Sequence, residues 1–136
     1  MTENTFTGAD LSNLDLKQLN FSKTNLAGSN LSGADLSNAM LNEADLSNAI
    51  MLNTTLVDAS LMKVSMSDAA VENGSFARAN LTGSYLSRSK FTATDLSNAN
   101  FNGVDLREVR FSGTLLTGTT FKGAKFIHTE FRDNDK

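Results

Sequence analysis

Ala34-Asp35-Leu36-Ser37-Asn38-Ala39-Met40-Leu41-Asn42-Glu43-Ala44-Asp45-Leu46-Ser47-Asn48 places a large apolar residue at 36, 41 and 46, with an alanine two residues before each. Followed outward in both directions, the same beat runs from Phe6 to Phe131, 26 consecutive positions at every fifth residue without a slip. All nine phenylalanines of the 136-residue chain fall on it. A period of five fits neither an amphipathic helix, which needs apolar residues three and four apart, nor a flat strand, which alternates strictly. The chain must turn every five residues, and a repeat architecture follows.

Within each unit the large apolar residue is the centre. Two residues before it stands a smaller one, alanine at 9, 34, 39, 44, 49, 59, 69, 79, 99 and 124. Positions two apart on an extended segment share a side, so the small residue and the centre face inward and the residue between them faces out. Two residues after the centre comes glycine at 8, 28, 33, 83, 103, 113, 118 and 123, or asparagine at 13, 38, 48, 53, 73 and 98. These residue types accept the positive φ required at the third position of a type II turn. Turns of one sense wind the chain into an all-β solenoid.

Units such as Ala9-Asp10-Leu11-Ser12-Asn13 and Ala44-Asp45-Leu46-Ser47-Asn48 resemble the A(D/N)LXX motif of pentapeptide-repeat proteins, over about residues 4–133. That resemblance implies a right-handed quadrilateral β-helix with four pentapeptides per coil. Spacing alone fixes neither the number four nor the hand. On this reading residues 1–136 form a single domain of about six and a half coils, in which centres twenty residues apart stack on one wall. Phe91, Phe111 and Phe131 then form one ladder, and Phe101 and Phe121 another. Leu14 and Leu19 depart from the small-residue rule and are expected to plug the open first coil.

Catalysis finds little support in the composition. The chain has no cysteine, and its one histidine, His128, falls on a turn with no cluster to join it. Asp10, Asp15, Asp35, Asp45, Asp95 and Asp105 all precede a centre, where an Asp or Asn side chain can bond nearby backbone. No cofactor, metal or enzyme activity is expected. The start of the chain has no basic head or apolar run, no segment is long enough to span a bilayer, and a cytoplasmic location is expected.

A net charge of −3 and a single tyrosine, Tyr85, argue against direct nucleic-acid binding. The family resemblance does include acidic rods that mimic duplex DNA and engage type II topoisomerases such as gyrase. Here the wall of Leu16, Leu36, Leu56, Phe76 and Leu96 carries Asp15, Asp35, Asp58 and Asp95 against Lys17 and Arg78, a faint stripe beside duplex DNA, which bears a charge about every 1.7 Å. The favoured function is a non-enzymatic interaction or scaffold protein binding another protein, with the topoisomerase modulator as the alternative.

Outward positions should be polar, so apolar exceptions mark candidate contacts. Met40, Ile50, Leu52, Val57 and Met62 are such exceptions, gathered in about two coils but assigned to three walls. Charge also drifts along the chain: residues 1–68 hold eight acids and three bases, net −5, and residues 69–136 hold seven acids and nine bases, net +2. The residues outside the repeats are too few for capping helices, so weak end-to-end self-association is a further expectation.

Overall fold

The small residue and the centre of each unit are the inward pair, as in Ala34 with Leu36 and Ala44 with Leu46, all essentially fully buried. After each centre the chain reverses its inclination through a left-handed residue: every fifth position from Gly8 to Asp133 has φ between +49° and +75°. Gln18, Lys23, Glu43, Arg78 and Ala93 adopt it as readily as the glycines and asparagines, so the winding imposes the conformation even where the side chain does not favour it. At most corners the N–H of the next small residue closes the turn, Ala39 N–H donating to the Leu36 carbonyl at 3.0 Å. Corners ending on alanine close at 2.9–3.2 Å, whereas those ending on Leu19, Val64 and Val104 stretch to 3.3–3.4 Å.

The computed structural model describes residues 5–134. Parallel pairing links each residue to the one twenty positions on, from Thr5 with Asn25 to Asp105 with Lys125. Four pentapeptides therefore make one coil, and the described residues wind through about six and a half coils at a rise of about 4.8 Å each. The fold is a right-handed quadrilateral β-helix, the hand that parallel crossovers take almost without exception. Coils are joined by main-chain bonds on both sides: Leu36 N–H donates to the Thr55 carbonyl at 2.7 Å, and Asp35 N–H to the Leu14 carbonyl at 3.0 Å. The described residues contain no helix.

The interior is one continuous core. Phe91, Phe111 and Phe131 stack as expected, with centroids 5.4 and 4.9 Å apart and planes within 18°. Phe101 and Phe121 form the second ladder at 5.4 Å, on the opposite wall, and Phe101 meets Phe111 edge-on at 6.0 Å across the interior. Leu14 and Leu19 lie in the first coil but remain 44% and 46% exposed, so the expected plug leaves nearly half of each side chain in water.

One wall differs from the other three. It carries the three-residue strands β1 (Ile50–Leu52), β2 (Ala70–Glu72), β3 (Lys90–Thr92), β4 (Arg110–Ser112) and β5 (Glu130–Arg132), paired in that order. The corner after each of these strands lacks the closing turn bond, and the inward residue that follows is Thr54, Gly74, Thr94, Thr114 or Asn134 instead of alanine. Where Ala34 follows Leu31 on the same wall, the bond closes at 3.0 Å. At the open corner after β4 the Asn134 side chain takes over both main-chain groups, its Oδ1 accepting the Thr114 N–H at 2.8 Å and its Nδ2 donating to the Phe111 carbonyl at 3.0 Å, while Thr54 Oγ1 adds a second bond to the Leu31 carbonyl at 2.8 Å. The result is a longer extended stretch with two outward side chains per rung.

Candidate functional site

Where the outward position before a centre holds an Asp or Asn, its carboxylate or amide oxygen can cap the following corner. Asp35 Oδ1 accepts the Ser37 N–H at 3.0 Å, Asp45 the Ser47 N–H at 2.9 Å, and Asn30, Asn80 and Asn100 do the same. These carboxylates are accordingly part of the scaffold, and Asp10 and Asp35 are held below the usual carboxylate range by the bonds they accept from Ser12 and Ser37.

Charged side chains pair along the axis. Asp58 receives Arg78 through two bonds at 2.9 and 3.1 Å, and Asp68 receives Arg88 through two at 3.0 Å, each from the coil above. The arginine hydrogen bonds lower both carboxyls. Asp105, the most buried acid, is gripped by Arg107, which also lowers it. Lys17 lies 3.7 Å from Asp15 and 4.0 Å from Asp35. Five of the six charges on the expected acidic stripe are thus engaged with one another, leaving Asp95 outside an ion pair.

Four of the five apolar exceptions are exposed, Met40 and Ile50 at 44%, Met62 at 38% and Leu52 at 36%, while Val57 is half-buried. Ile50 and Leu52 flank the buried Met51 on β1 and stand side by side on the same wall. Met40 and Met62 sit on successive coils around Leu41 and Leu61, where Met40 pairs with Ser60. That wall is opposite β1, because units ten residues apart face each other across a four-sided coil. The five residues therefore form two pairs on opposing walls, with Val57 on the wall between.

The β1–β5 wall continues from Ile50 and Leu52 into Ala70 and Glu72, then Lys90 and Thr92, Arg110 and Ser112, and Glu130 and Arg132. It is apolar at β1 and rich in cations from β3 onward. A groove of about 260 Å³ lies over β3–β5, lined by Lys90, Thr92, Arg110, Ser112, Glu130 and Arg132. The sequence shows these bases as part of a basic half. Only the twenty-residue register, applied to outward positions as well as to the core, places them on one wall. Among the described residues no group of His, Asp and Glu is arranged to hold a metal ion, and no helix is long and apolar enough to cross a membrane.

A family model described as pentapeptide repeats matches residues 5–42, 39–76, 75–113 and 105–133. Curated protein sequences yield no match. Among solved structures, the chain is similar to HetL of the cyanobacterium Nostoc sp. strain PCC 7120, a pentapeptide repeat protein involved in heterocyst differentiation regulation. The two share 30% identity over 92% of this chain, with a TM-score of 0.56. This chain spans 60% of HetL's length. It is also similar to QnrB1, a plasmid-mediated fluoroquinolone resistance protein, at 25% identity over 99% of this chain and 71% of that one, with a TM-score of 0.67.

Proposed function

The chain belongs to the pentapeptide-repeat family, and on that premise we propose that it is a non-enzymatic protein-interaction or scaffold solenoid, acting in the cytoplasm, whose contact face is the β1–β5 wall. The observation that carries this reading is the exposed pair Ile50 and Leu52, adjacent on one strand at the head of a wall that turns cationic. A contact surface of this kind offers an apolar anchor with a charged surround. The wall is also preorganised: rung bonds fix its backbone, so a partner orders little of it on docking. Affinity capture from the native cell tests the reading. Ile50→Ser/Leu52→Ser should lose the partner that the parent retains, and Met40→Ser/Met62→Ser on the opposite wall should keep it. Retention by the first variant or equal loss by both would overturn the assignment.

The likeness to QnrB1 motivates the second reading, a modulator of a type II topoisomerase. Its electrostatic basis is weak because Lys17 and Arg78 offset half of the four carboxylates on the candidate acidic stripe, leaving a net of −2. A supercoiling assay with purified gyrase separates the two: an effect at micromolar protein supports the modulator, and its absence leaves the scaffold. End-to-end association belongs to the same proposal, with Phe126 and Phe131 exposed in the last coil. Strictly monomeric sedimentation at high concentration and low salt would refute it.

A further inference from the structure

Where charges stand one rung apart on this solenoid they are mostly opposite in sign, and some are joined, as in Asp58 with Arg78 and Asp68 with Arg88. Two rungs break the rule by setting like charges directly beside one another, about 4.8 Å apart along the sheet. One is Asp15 with Asp35, where Lys17 reaches both carboxylates. The other is Lys90 with Arg110, in register on β3 and β4. Glu130, one rung further on, is joined to Arg110, while Glu72 lies one rung back beside Thr92 and Glu108 lies beside both cations in the adjoining groove. The Oε1 atom of Glu130 is 3.4 Å from Arg110 Nε and 3.7 Å from Arg132 Nε, so it serves those two arginines. Among the described residues no carboxylate lies within 4.0 Å of Lys90 Nζ.

Like charges facing each other across a rung destabilise a sheet unless something neutralises them. At Asp15 and Asp35 a single lysine reaches both members, whereas at Lys90 and Arg110 the one carboxylate in reach, Glu130, joins only the arginine. The groove beside this rung is lined by both cations, by Arg132 and by the hydroxyl-bearing Thr92 and Ser112. Three cations against one carboxylate leave an excess of two positive charges over the groove. Guanidinium and ammonium groups together with hydroxyls form the donor set that recognises tetrahedral oxyanions.

We propose that the groove over β3–β5 binds a dianionic phosphate group, bridged by Lys90 and Arg110, with Thr92 and Ser112 donating hydrogen bonds and Arg132 supplying the outer charge. The phosphate is either the free ion or a monoester. Glu130 sets the affinity, because its carboxylate occupies the two guanidinium groups that the phosphate would otherwise engage. This site does not depend on the protein-scaffold reading, since it requires no protein partner and is tested with small molecules.

The test is a titration of backbone amide signals with inorganic phosphate and, separately, with phenyl phosphate, against sodium chloride at matched ionic strength. Phosphate should give saturable shifts confined to Lys90, Thr92, Arg110, Ser112 and their neighbours. Stronger binding of phenyl phosphate identifies an ester site, and equal or stronger binding of inorganic phosphate identifies a free-ion site. Lys90→Gln should weaken binding roughly tenfold, about the contribution of one charge-assisted hydrogen bond, and Glu130→Gln should tighten it. Lys90→Gln should also raise the melting temperature in phosphate-free buffer by removing the repulsion. Both side chains are on the surface, so both variants fold. Shifts that fail to saturate, that chloride reproduces, or that persist unchanged in Lys90→Gln would overturn the proposal.

Discussion

Ser84→Ala and Ser89→Ala are the same chemical change at equivalent inward positions of adjacent walls, and they should move stability in opposite directions. Ser84 Oγ donates to the Leu61 carbonyl at 2.7 Å and accepts the Val64 N–H at 3.1 Å, bridging a corner whose own bond has stretched to 3.4 Å. Removing it leaves two buried main-chain groups with one weak bond between them, a cost of about 1–2 kcal/mol. Ser89 Oγ is equally buried but has no hydrogen-bond partner, and Ser29 Oγ three coils earlier is in the same position. The two intervening residues of that column are Ala49 and Ala69, each 1% exposed, so alanine fits the site without adjustment. An unsatisfied buried hydroxyl costs about 1–3 kcal/mol. Its removal forfeits only a few tenths of a kcal/mol in dispersion contacts. Ser89→Ala should therefore stabilise by about 1 kcal/mol, and Ser29→Ala/Ser89→Ala by about 2 kcal/mol, because sites some 14 Å apart add independently. Urea unfolding followed by far-UV circular dichroism reads the difference as midpoints displaced to either side of the parent. A lowered midpoint for Ser89→Ala would show that the hydroxyl has a partner and would sink the reasoning.

The aromatic ladder predicts a position-dependent cost. Phe111→Ala, fully buried between rings at 4.9 and 5.4 Å, should lose about 3–5 kcal/mol in chemical denaturation, and Phe131→Ala, 45% exposed, less than half of that. Equal losses would contradict the ladder. Gly74→Ala should destabilise by about 1–3 kcal/mol although alanine is the commonest residue at its repeat position, because the new Cβ would lie 2.7 Å from the Thr54 carbonyl oxygen. A neutral thermal shift would refute that clash. Asp58, Asp68 and Asp105 have folded pKa values below their unfolded ones. Their contribution is therefore complete above the unfolded carboxyl pKa of about 3.9 and is lost as pH falls through the lower folded values. The urea midpoint should stay level from neutral pH to about 5 and drop below about 4, with a smaller drop in Asp105→Asn; an unchanged acid limb in that variant would rule out the Arg107 pair as a contributor.

The inward half of the molecule was legible because packing repeats it. Leu36, Leu41 and Leu46 announce the core, and the glycines and asparagines two residues later announce the corners. The positive φ of Gln18, Lys23 and Arg78 was not readable from residue type, since only their place in the beat forces it. The open corners after β1–β5 were hidden for a different reason. They depend on which residue follows the corner, Thr54 against Ala34, and on whether its side chain takes a main-chain group one coil away. Contacts at a separation of 23 residues leave no local pattern. Leu14 and Leu19 depart from the small-residue rule, and in the first described coil both stay nearly half exposed.

The outward half obeys the same twenty-residue register with no packing constraint on identity, and this explains why the candidate contacts divided. Proximity in sequence grouped Met40, Ile50, Leu52, Val57 and Met62, but a separation of ten residues is the greatest angular distance a four-sided coil allows, so Met40 and Ile50 face away from each other. Lys90 and Arg110 are twice as far apart in sequence as Met40 and Ile50, yet they are adjacent rungs. On such a surface the informative unit is the column, compared rung by rung. A column of alternating charge is explained by stability, as with Asp58 and Arg78. A like-charge rung bridged by its own neighbour is also explained, as with Lys17 between Asp15 and Asp35. Lys90 beside Arg110 is the rung that neither explanation covers, so the wall of β1–β5 is where a ligand has most to add.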